Sequence, residues 1–147
     1  MSKVKPVPEG YHTITPFLVV PGAAKMIDFL KQAFGAEETF RSALPDGTVK
    51  HAEVKIGNSM LMIGDATGEC APSNSMFYLY VEDTDALYQR ALTAGATSIM
   101  PPTDQFYGDR SGGVKDAYGN QWWIATHIED VSPEEIEKRA AAAAHKK

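Results

Sequence analysis

The hydrophobic and polar positions of the chain follow one order of patterns that occurs twice. In each half an apolar strand precedes a helical pattern, and each helical pattern closes at a Gly-Ala pair, Gly35-Ala36 and Gly95-Ala96. Each half also ends with a Gly-Asn turn that leads into a further strand, at Gly57-Asn58 and Gly119-Asn120. An internal repeat of this kind indicates two copies of one supersecondary unit. The sequence therefore predicts an α+β fold of two tandem βαβββ modules.

The first module is predicted at about residues 11–65. A helix is expected at Ala23–Phe34, and strands are expected at Thr13–Val20, Glu38–Leu44, Val49–Ile56 and Met60–Ile63. In the third of these strands Ala52, Val54 and Ile56 alternate with His51, Glu53 and Lys55. Successive side chains of a strand point to opposite faces, so one face is expected to pack against the helix and the other to be polar.

The second module is predicted at about residues 76–127, after a linker at 66–75 that contains few residues able to pack. A helix from an N-cap at Thr84 to about Ala94 is expected, with strands at Met76–Val81, Ser98–Met100, Val114–Ala117 and Gln121–His127. The polar stretch Thr103–Gly113 is predicted to be a long loop, and such loops are often functional. A capping box at Ser132–Glu135 predicts a C-terminal helix at about residues 132–145.

Composition and charge limit the class of protein. The 147 residues are enough for one domain with a shared core, and 22% charged and 44% hydrophobic residues are ordinary globular values. No apolar run is long enough to span a bilayer. The net charge of −5 without a Lys/Arg stripe argues against nucleic acid as a partner. The N-terminal residues lack a secretory pattern and the single Cys70 cannot form an internal disulfide, so a cytoplasmic location is expected.

Several segments resemble the vicinal oxygen chelate superfamily of glyoxalases, bleomycin-resistance proteins and extradiol dioxygenases. They are Pro16–Val20, Asp28–Leu30, Phe34–Ala36 and Asp116–Trp122. Three more segments are similar to the PhnB-like subgroup, whose members are often labelled as glyoxalases or as a demethylubiquinone methyltransferase: His51–Glu53, Asp104–Arg110 and Ala125–Ser132. The resemblance spans about Tyr11 to Glu135. It implies a curled mixed sheet around a shared cavity, a small-molecule ligand and a homodimer.

The resemblance also implies where a metal would bind. Metal enzymes of the superfamily take His, Gln or Glu ligands from the first and last strand of each module, and those positions correspond here to Thr15, Leu61, Met76 and Trp123. None of the four offers the imidazole or carboxylate that divalent ions favour. We therefore expect no metal at the shared site and no cofactor.

His51 and Glu53 are the candidate catalytic residues. They lie two positions apart on a strand and so share its polar face. Glu53 would take a proton while His51 orients it or polarises a carbonyl; the alternative is a polar pair that closes a hydrogen-bond network. A metal-dependent lyase, isomerase or dioxygenase whose site has moved to His51 and Glu53, with His127 as a third ligand, is the competing hypothesis.

Large side chains at matching strand positions predict a binding pocket. The candidate ligand-binding residues of this group are Phe17, Met76, Tyr78, Tyr80 and Trp123, with His127 at the rim. Pockets for small molecules are mostly apolar with a few placed polar groups, although the same residues would also fill a core.

Arg110 and Tyr107 are further candidate ligand-binding residues, from the predicted loop. Arg110 would pair with an anionic substrate or form a salt bridge with Asp109 or Asp104, and Phe106 with Tyr107 would form a lid. No phosphate loop, nucleophile elbow or Cys-x-x-Cys pair is present. The sequence thus predicts a glyoxalase- or bleomycin-resistance-like small-molecule-binding protein without the usual metal; a structural dimer module is the third possibility.

Overall fold

A computed structural model describes residues 4–67, 72 and 74–144. Within them the element order is β1, α1, β2, β3, β4, then β5, α2, β6, β7, β8, and finally a C-terminal helix α3. The α+β class and the tandem βαβββ order are confirmed. Residues 68–71 and 73 of the predicted linker, which include Cys70, and the predicted helix end at residue 145 lie outside the described residues. The chain divides into two compact units, Met1–Ser75 and Met76–Lys147.

The first unit is a four-stranded mixed sheet with one helix. Its elements are β1 Phe17–Val20, α1 Ala23–Phe34, β2 Glu37–Ala43, β3 Val49–Ile56 and β4 Ser59–Asp65. The strand order is β1-β4-β3-β2, in which β1 is parallel to β4 and the other pairs are antiparallel. The helix ends at Gly35, whose φ of +67° is a left-handed conformation that glycine adopts without strain.

The core of the first unit lies between α1 and one face of the sheet. Met26, Ile27 and Leu30 of the helix are fully buried, as are Val54 and Ile63 of the sheet. Burying such a side chain stabilises the fold by about 1.5–3 kcal/mol relative to exposure. The predicted alternation in β3 is confirmed. Ala52 and Val54 are buried under the helix, whereas His51, Glu53 and Lys55 lie on the opposite, more exposed face.

The second unit repeats this arrangement and adds a helix. Its elements are β5 Met76–Tyr80, α2 Thr84–Thr93, β6 Thr97–Asp104, β7 Asp109–Lys115, β8 Gln121–His127 and α3 Pro133–Ala144. The strand order is β5-β8-β7-β6, with β5 parallel to β8. Trp122, Ile124 and Val114 are buried on the side of the sheet that α2 covers.

The predicted long loop at Thr103–Gly113 is wrong. Thr103 and Asp104 end β6, residues 109–113 belong to β7, which begins at Asp109, and only residues 105–108 form a turn. The predicted strand at Val114–Ala117 is correspondingly displaced. The strand Asp109–Lys115 has no apolar alternation because close packing on both of its faces requires Gly112 and Gly113, whose neighbours leave little space for a side chain.

The strand β6 runs through Pro101 and Pro102, where the sequence pattern predicted its end. Proline lacks an N–H and is tolerated on edge strands or at irregularities. β6 is the edge strand of its sheet, and its pairing with β7 shifts register between Met100 and Thr103. Both conditions are therefore met at the two prolines.

The predicted N-cap of α2 at Thr84 is also wrong. Asp83 is the N-cap, and its carboxylate accepts a hydrogen bond from the backbone N–H of Ala86. The Thr84 hydroxyl instead contacts the Thr126 hydroxyl of β8 at 2.7 Å, so Thr84 fastens the helix to the sheet. No helix in the described part of the chain is long and apolar enough to cross a membrane.

Candidate functional site

The face of the second sheet that points away from α2 carries large exposed side chains. Met76, Tyr78 and Tyr80 alternate along β5, and Tyr78 lies directly beside Trp123 of β8. Met76 and Tyr80 are each 66% exposed and Tyr78 is 43% exposed. We call these four residues the aromatic face. Their predicted common orientation is confirmed by the strand register.

Trp123 is held in one orientation within the aromatic face. Its indole N–H donates to the Gln121 side-chain oxygen at 3.0 Å. The flat side of the ring lies over Gly113, its partner in β7. The other side of the indole therefore faces away from β7.

A buried carboxylate lies at one end of the aromatic face. Asp109 begins β7 directly opposite His127, the last residue of β8. Its Oδ2 accepts hydrogen bonds from the hydroxyls of Tyr78 at 2.8 Å and Tyr80 at 3.0 Å. Its Oδ1 lies 2.9 Å from Nδ1 of His127. One carboxylate thus fixes two phenols and an imidazole, and we call these four residues the Asp109 cluster.

The ionisation of the cluster follows from these contacts. Burial alone would raise the pKa of Asp109, but the hydrogen bonds from His127, Tyr78 and Tyr80 outweigh it and lower that pKa. Hydrogen bonding to Asp109, and then to Asp130, raises the pKa of His127. Burial and the neighbouring Tyr107 and Asp109 raise the pKa of Tyr78. The stable arrangement is an ionised carboxylate with protonated donors around it.

The second ring nitrogen of His127 faces outward. Its Nε2 lies 2.7 Å from Oδ1 of Asp130, in the segment between β8 and α3. The His127 side chain is 51% exposed and that of Asp130 is fully exposed. His127, the last residue of β8, therefore lies at the edge of the aromatic face.

Tyr107 reaches the same site from the turn at residues 105–108. Its side chain is close enough to that of Tyr78 to help raise the pKa of Tyr78. The turn is fixed by backbone N–H groups of Ile128 and Glu129, which donate to the Gly108 carbonyl. The Arg139 guanidinium of α3 also donates to the Phe106 carbonyl at 3.1 Å. Tyr107 thus belongs to the site through a short, well-held turn and not through the predicted lid loop.

Arg110 lies on the other face of the sheet. Its guanidinium binds both carboxylate oxygens of Asp85 in α2, at 2.7 and 2.8 Å, and one oxygen of Asp104 at 3.0 Å. Of the two predicted roles, the structure has the salt bridge, with Asp104 and not with Asp109. Arg110 is not brought to the aromatic face.

The predicted pair in the first unit is formed. His51 Nε2 and Glu53 Oε2 are 3.0 Å apart on the face of β3 opposite α1. The rings of Phe17 and Phe40 flank His51, with centroids 5.6 and 6.1 Å from the imidazole. Phe17, a predicted ligand-binding residue, therefore lies beside His51, in the first unit. The pair is accessible, with side chains 32% and 24% exposed.

The positions that correspond to the superfamily's metal ligands do not fit a divalent ion. Leu61 pairs with Val54 and is buried on the helix side of its sheet, while its neighbours Met60 and Met62 alternate to the other side. The side chains at Leu61 and its two neighbours are hydrocarbon and thioether groups, which supply no hard donor atom to a metal ion. The same holds for Met76 and Trp123 in the second unit. Within residues 4–67, 72 and 74–144 no group of three or more His, Cys, Asp or Glu side chains could hold a metal ion.

Sequence reasoning missed Asp109 and Asp130 as members of the site. Asp109 was placed in a loop, as a partner for Arg110. No local pattern gave a signal for Asp109, because its place opposite His127 depends on the long-range register between β7 and β8. Nothing in the pattern indicated Asp130, which contacts His127 only through the turn that follows β8.

Comparison with known proteins identifies the class. The family model of the Glyoxalase/Bleomycin resistance protein/Dioxygenase superfamily matches residues 11–124. An uncharacterized protein of Mycobacterium tuberculosis is 37% identical over 135 residues, which cover 84% of this chain and 79% of that protein. The chain belongs to this superfamily.

Two solved structures show the same fold. The crystal structure of TioX from Micromonospora sp. ML1 matches with a TM-score of 0.69 and 25% identity, covering 80% of this chain and 99% of that one. A Bacillus cereus protein described as a putative 3-demethylubiquinone-9 3-methyltransferase, PhnB protein, matches with a TM-score of 0.59 and 21% identity, covering 78% and 99%. The second likeness concerns the fold alone.

Proposed function

We propose that this chain binds a flat, largely apolar small molecule on the aromatic face and does so without the superfamily's metal. The observation that carries the proposal is the exposure of Met76, Tyr78 and Tyr80 beside Trp123, with both phenol hydroxyls fixed by Asp109. Stacking between aromatic rings contributes about 0.5–1.5 kcal/mol beyond the area that is buried. Rings already held in place lose little conformational freedom when a ligand binds.

The exposure of these residues argues against the alternative that they only fill a core. A residue that fills a core is largely buried, as Trp122 is in the same sheet at 1% exposure. Tyr80 and Met76 are instead exposed on the outer strand of their sheet. Concentration of such side chains on one face is typical of a binding surface.

Binding of N-phenyl-1-naphthylamine, a neutral fluorescent probe that carries a flat naphthalene ring, tests the proposal. We expect saturable binding by the wild-type chain, weakened at least about tenfold by Trp123→Leu or Tyr80→Ala through lost stacking. Ile14→Ala is the matched control, because Ile14 is exposed but lies outside every helix and strand. Prior treatment with a chelator should leave the affinity unchanged.

Two outcomes contradict the proposal. Equal probe affinity in wild type, Trp123→Leu and Tyr80→Ala would remove the aromatic face as the site. Stoichiometric zinc, nickel, iron or manganese in the purified protein, with probe binding lost on chelation, would replace it with the metal-dependent alternative.

A second candidate function is proton transfer by Glu53 and His51. The 3.0 Å contact between their side chains, the partial exposure of both and the flanking rings of Phe17 and Phe40 favour it. Glu53 would take a proton from a carbon next to a carbonyl, and His51 would polarise that carbonyl. Its test is deuterium incorporation from solvent into hydroxyacetone, followed by NMR. Exchange as fast with Glu53→Gln as with wild type would exclude it.

Substitution of each residue of the pair tests the relocated metal site. If His51 and Glu53 were metal ligands, His51→Ala and Glu53→Gln would each reduce the metal content measured by elemental analysis. Unchanged content in both variants would remove that alternative. Membership of the PhnB-like subgroup, the homodimer and a cytoplasmic location stay predictions, and the binding proposal depends on none of them.

A further inference from the structure

His127 offers a hydrogen-bond donor at the rim of the aromatic face. Its Nδ1 is fixed on the buried carboxylate of Asp109, and this contact orients the ring so that Nε2 points outward. Nε2 meets only an exposed carboxylate, that of Asp130, among the contacts resolved for it in the described chain. Tyr80 shares the Asp109 carboxylate with His127, so the donor lies next to the proposed ligand surface.

The charged groups around His127 favour its protonated form. Asp109 of β7 and Asp130 after β8 contact the imidazole directly, and Tyr78 and Tyr80 of β5 share the Asp109 carboxylate with it. The next charged side chain after His127 along the chain is that of Glu129. Glu129 is already paired with Arg139. The two aspartates in contact with the imidazole raise its pKa above the ordinary 6.5, so both ring nitrogens carry protons at pH values below 6.5.

Both carboxylates that contact His127 are already engaged in hydrogen bonds. Asp109 is buried and accepts three hydrogen bonds from the cluster. Asp130 is engaged with His127. The group that a ligand can reach is therefore the imidazolium N–H, which prefers an anionic acceptor.

We propose that the ligand of the aromatic face carries an acidic group, a carboxylate or phenolate, and that His127 Nε2 binds this group in place of Asp130. The inference rests on the proposed function and specifies its ligand class. Asp130 is displaceable because its side chain is fully exposed, and exposed ion pairs contribute little stability. The ligand's acidic group would meet the same N–H at the edge of the aromatic face.

Competition against N-phenyl-1-naphthylamine with 2-naphthoate and 2-naphthamide tests the inference, since the two competitors share a ring system and differ in charge. At about pH 6, where the imidazole is protonated, we expect 2-naphthoate to bind at least about tenfold more tightly than 2-naphthamide. His127→Gln should abolish this preference. Asp130→Asn should strengthen 2-naphthoate binding, whereas Glu134→Gln, which removes one nearby surface charge without touching His127, should not.

A pH series on the wild-type protein gives the same answer if a variant folds poorly. Affinity for 2-naphthoate should fall as the pH rises through the pKa of His127, and affinity for 2-naphthamide should stay level. Equal affinities for the two competitors, or a preference that survives in His127→Gln, would overturn the inference while leaving probe binding and the proposed function intact. If N-phenyl-1-naphthylamine does not bind at all, the proposed function and this inference both fall.

Discussion

The indole of Trp123 and the backbone of Gly113 lie in direct contact across the β7–β8 pair. A β-carbon built on Gly113 would lie 2.8 Å from two ring carbons of Trp123 and 2.9 Å from a third. Real β-carbons do not approach ring atoms that closely. The orientation of the largest side chain on the aromatic face therefore depends on the absence of a side chain at position 113.

Gly113→Ala should displace the Trp123 ring. Overpacking of this kind costs about 1–3 kcal/mol of stability, and the movement would break the hydrogen bond from the indole to Gln121. We expect lower resistance to urea, a shifted Trp emission spectrum and weaker binding of N-phenyl-1-naphthylamine.

A double substitution isolates the contact. In a Trp123→Leu background, Gly113→Ala should cost much less than it does alone, because the flat ring that it meets is gone. An equal cost in both backgrounds would mean that the methyl group disturbs β7 itself and that the ring contact is irrelevant.

The same contact explains which strands the sequence could predict. The bounds of α1, β3 and β8 are as predicted, because each carries a clear helical or alternating apolar pattern. The strand β7 has no such pattern: Ser111, Gly112 and Gly113 are buried by what packs on them, and not by their own hydrophobicity. Only the long-range contact with Trp123 and with Pro102 of β6 gives these residues their role.

The site was predictable to a similar extent. Alternation along β5 and β8 predicted that Tyr78, Tyr80 and Trp123 share one face. Alternation along β3 predicted in the same way that His51 lies beside Glu53. The Asp109 cluster depends on the start of β7 lying opposite the end of β8, a register that no local pattern specifies. The orientation of Arg110 could not be predicted for the same reason. Arg110 is one position along β7 from Asp109, so it points to the other face of the sheet and pairs with Asp85.

Asp116 should be essential for the stability of the second unit. It is buried, and its Oδ1 accepts from the backbone N–H groups of Tyr118 and Asn120 while its Oδ2 accepts from the side chains of Asn120 and Trp122. Asn at this position keeps one acceptor oxygen and directs an NH₂ group at the other donors. We expect Asp116→Asn to lower the free energy of unfolding by about 2–4 kcal/mol.

Denaturant unfolding measures this effect, with Asp28→Asn as the control. Asp28 is exposed on α1 in the other unit, so its substitution should change the free energy of unfolding very little. Equal stability of Asp116→Asn and wild type would show that the turn at residues 116–120 does not need the carboxylate.

The Asp109 cluster should make stability depend on pH in two opposite directions. The pKa of Asp109 is lowered from an ordinary 3.8, so its contribution is present above that value and is lost as the pH falls through the lowered pKa. The pKa of His127 is raised from an ordinary 6.5, so its contribution is present below that value and is lost as the pH rises through the raised pKa. The cluster therefore stabilises most between the two ordinary values.

His127→Gln tests the alkaline side of this window. The difference in free energy of unfolding between wild type and His127→Gln should be largest at about pH 5.5 and should shrink at about pH 8.5. His12→Gln is the control, because His12 is exposed and outside every helix and strand. A difference that grows with pH would mean that the imidazole is bound as a neutral group.

Arg139 should hold the turn that carries Tyr107. Its guanidinium binds both carboxylate oxygens of Glu129, at 3.0 and 3.2 Å, and also donates to the Phe106 carbonyl. It thereby joins α3 to both segments that meet at Gly108, whose carbonyl accepts the N–H groups of Ile128 and Glu129. Arg139→Ala should increase hydrogen exchange at those two amides, since exposed contacts of this kind limit local opening.

Two further variants separate the effect of charge from that of geometry in the contacts of Arg139 with Glu129 and Phe106. Arg139→Lys keeps the charge but loses the planar fork that binds Glu129 and Phe106 together, so exchange should lie between that of wild type and Arg139→Ala. Lys138→Ala removes the adjacent charge of α3 and should leave both amides unchanged. If Arg139→Ala exchanges no faster than wild type at Ile128 and Glu129, the turn is fixed by its backbone hydrogen bonds alone, and α3 does not contribute to placing Tyr107 against Tyr78.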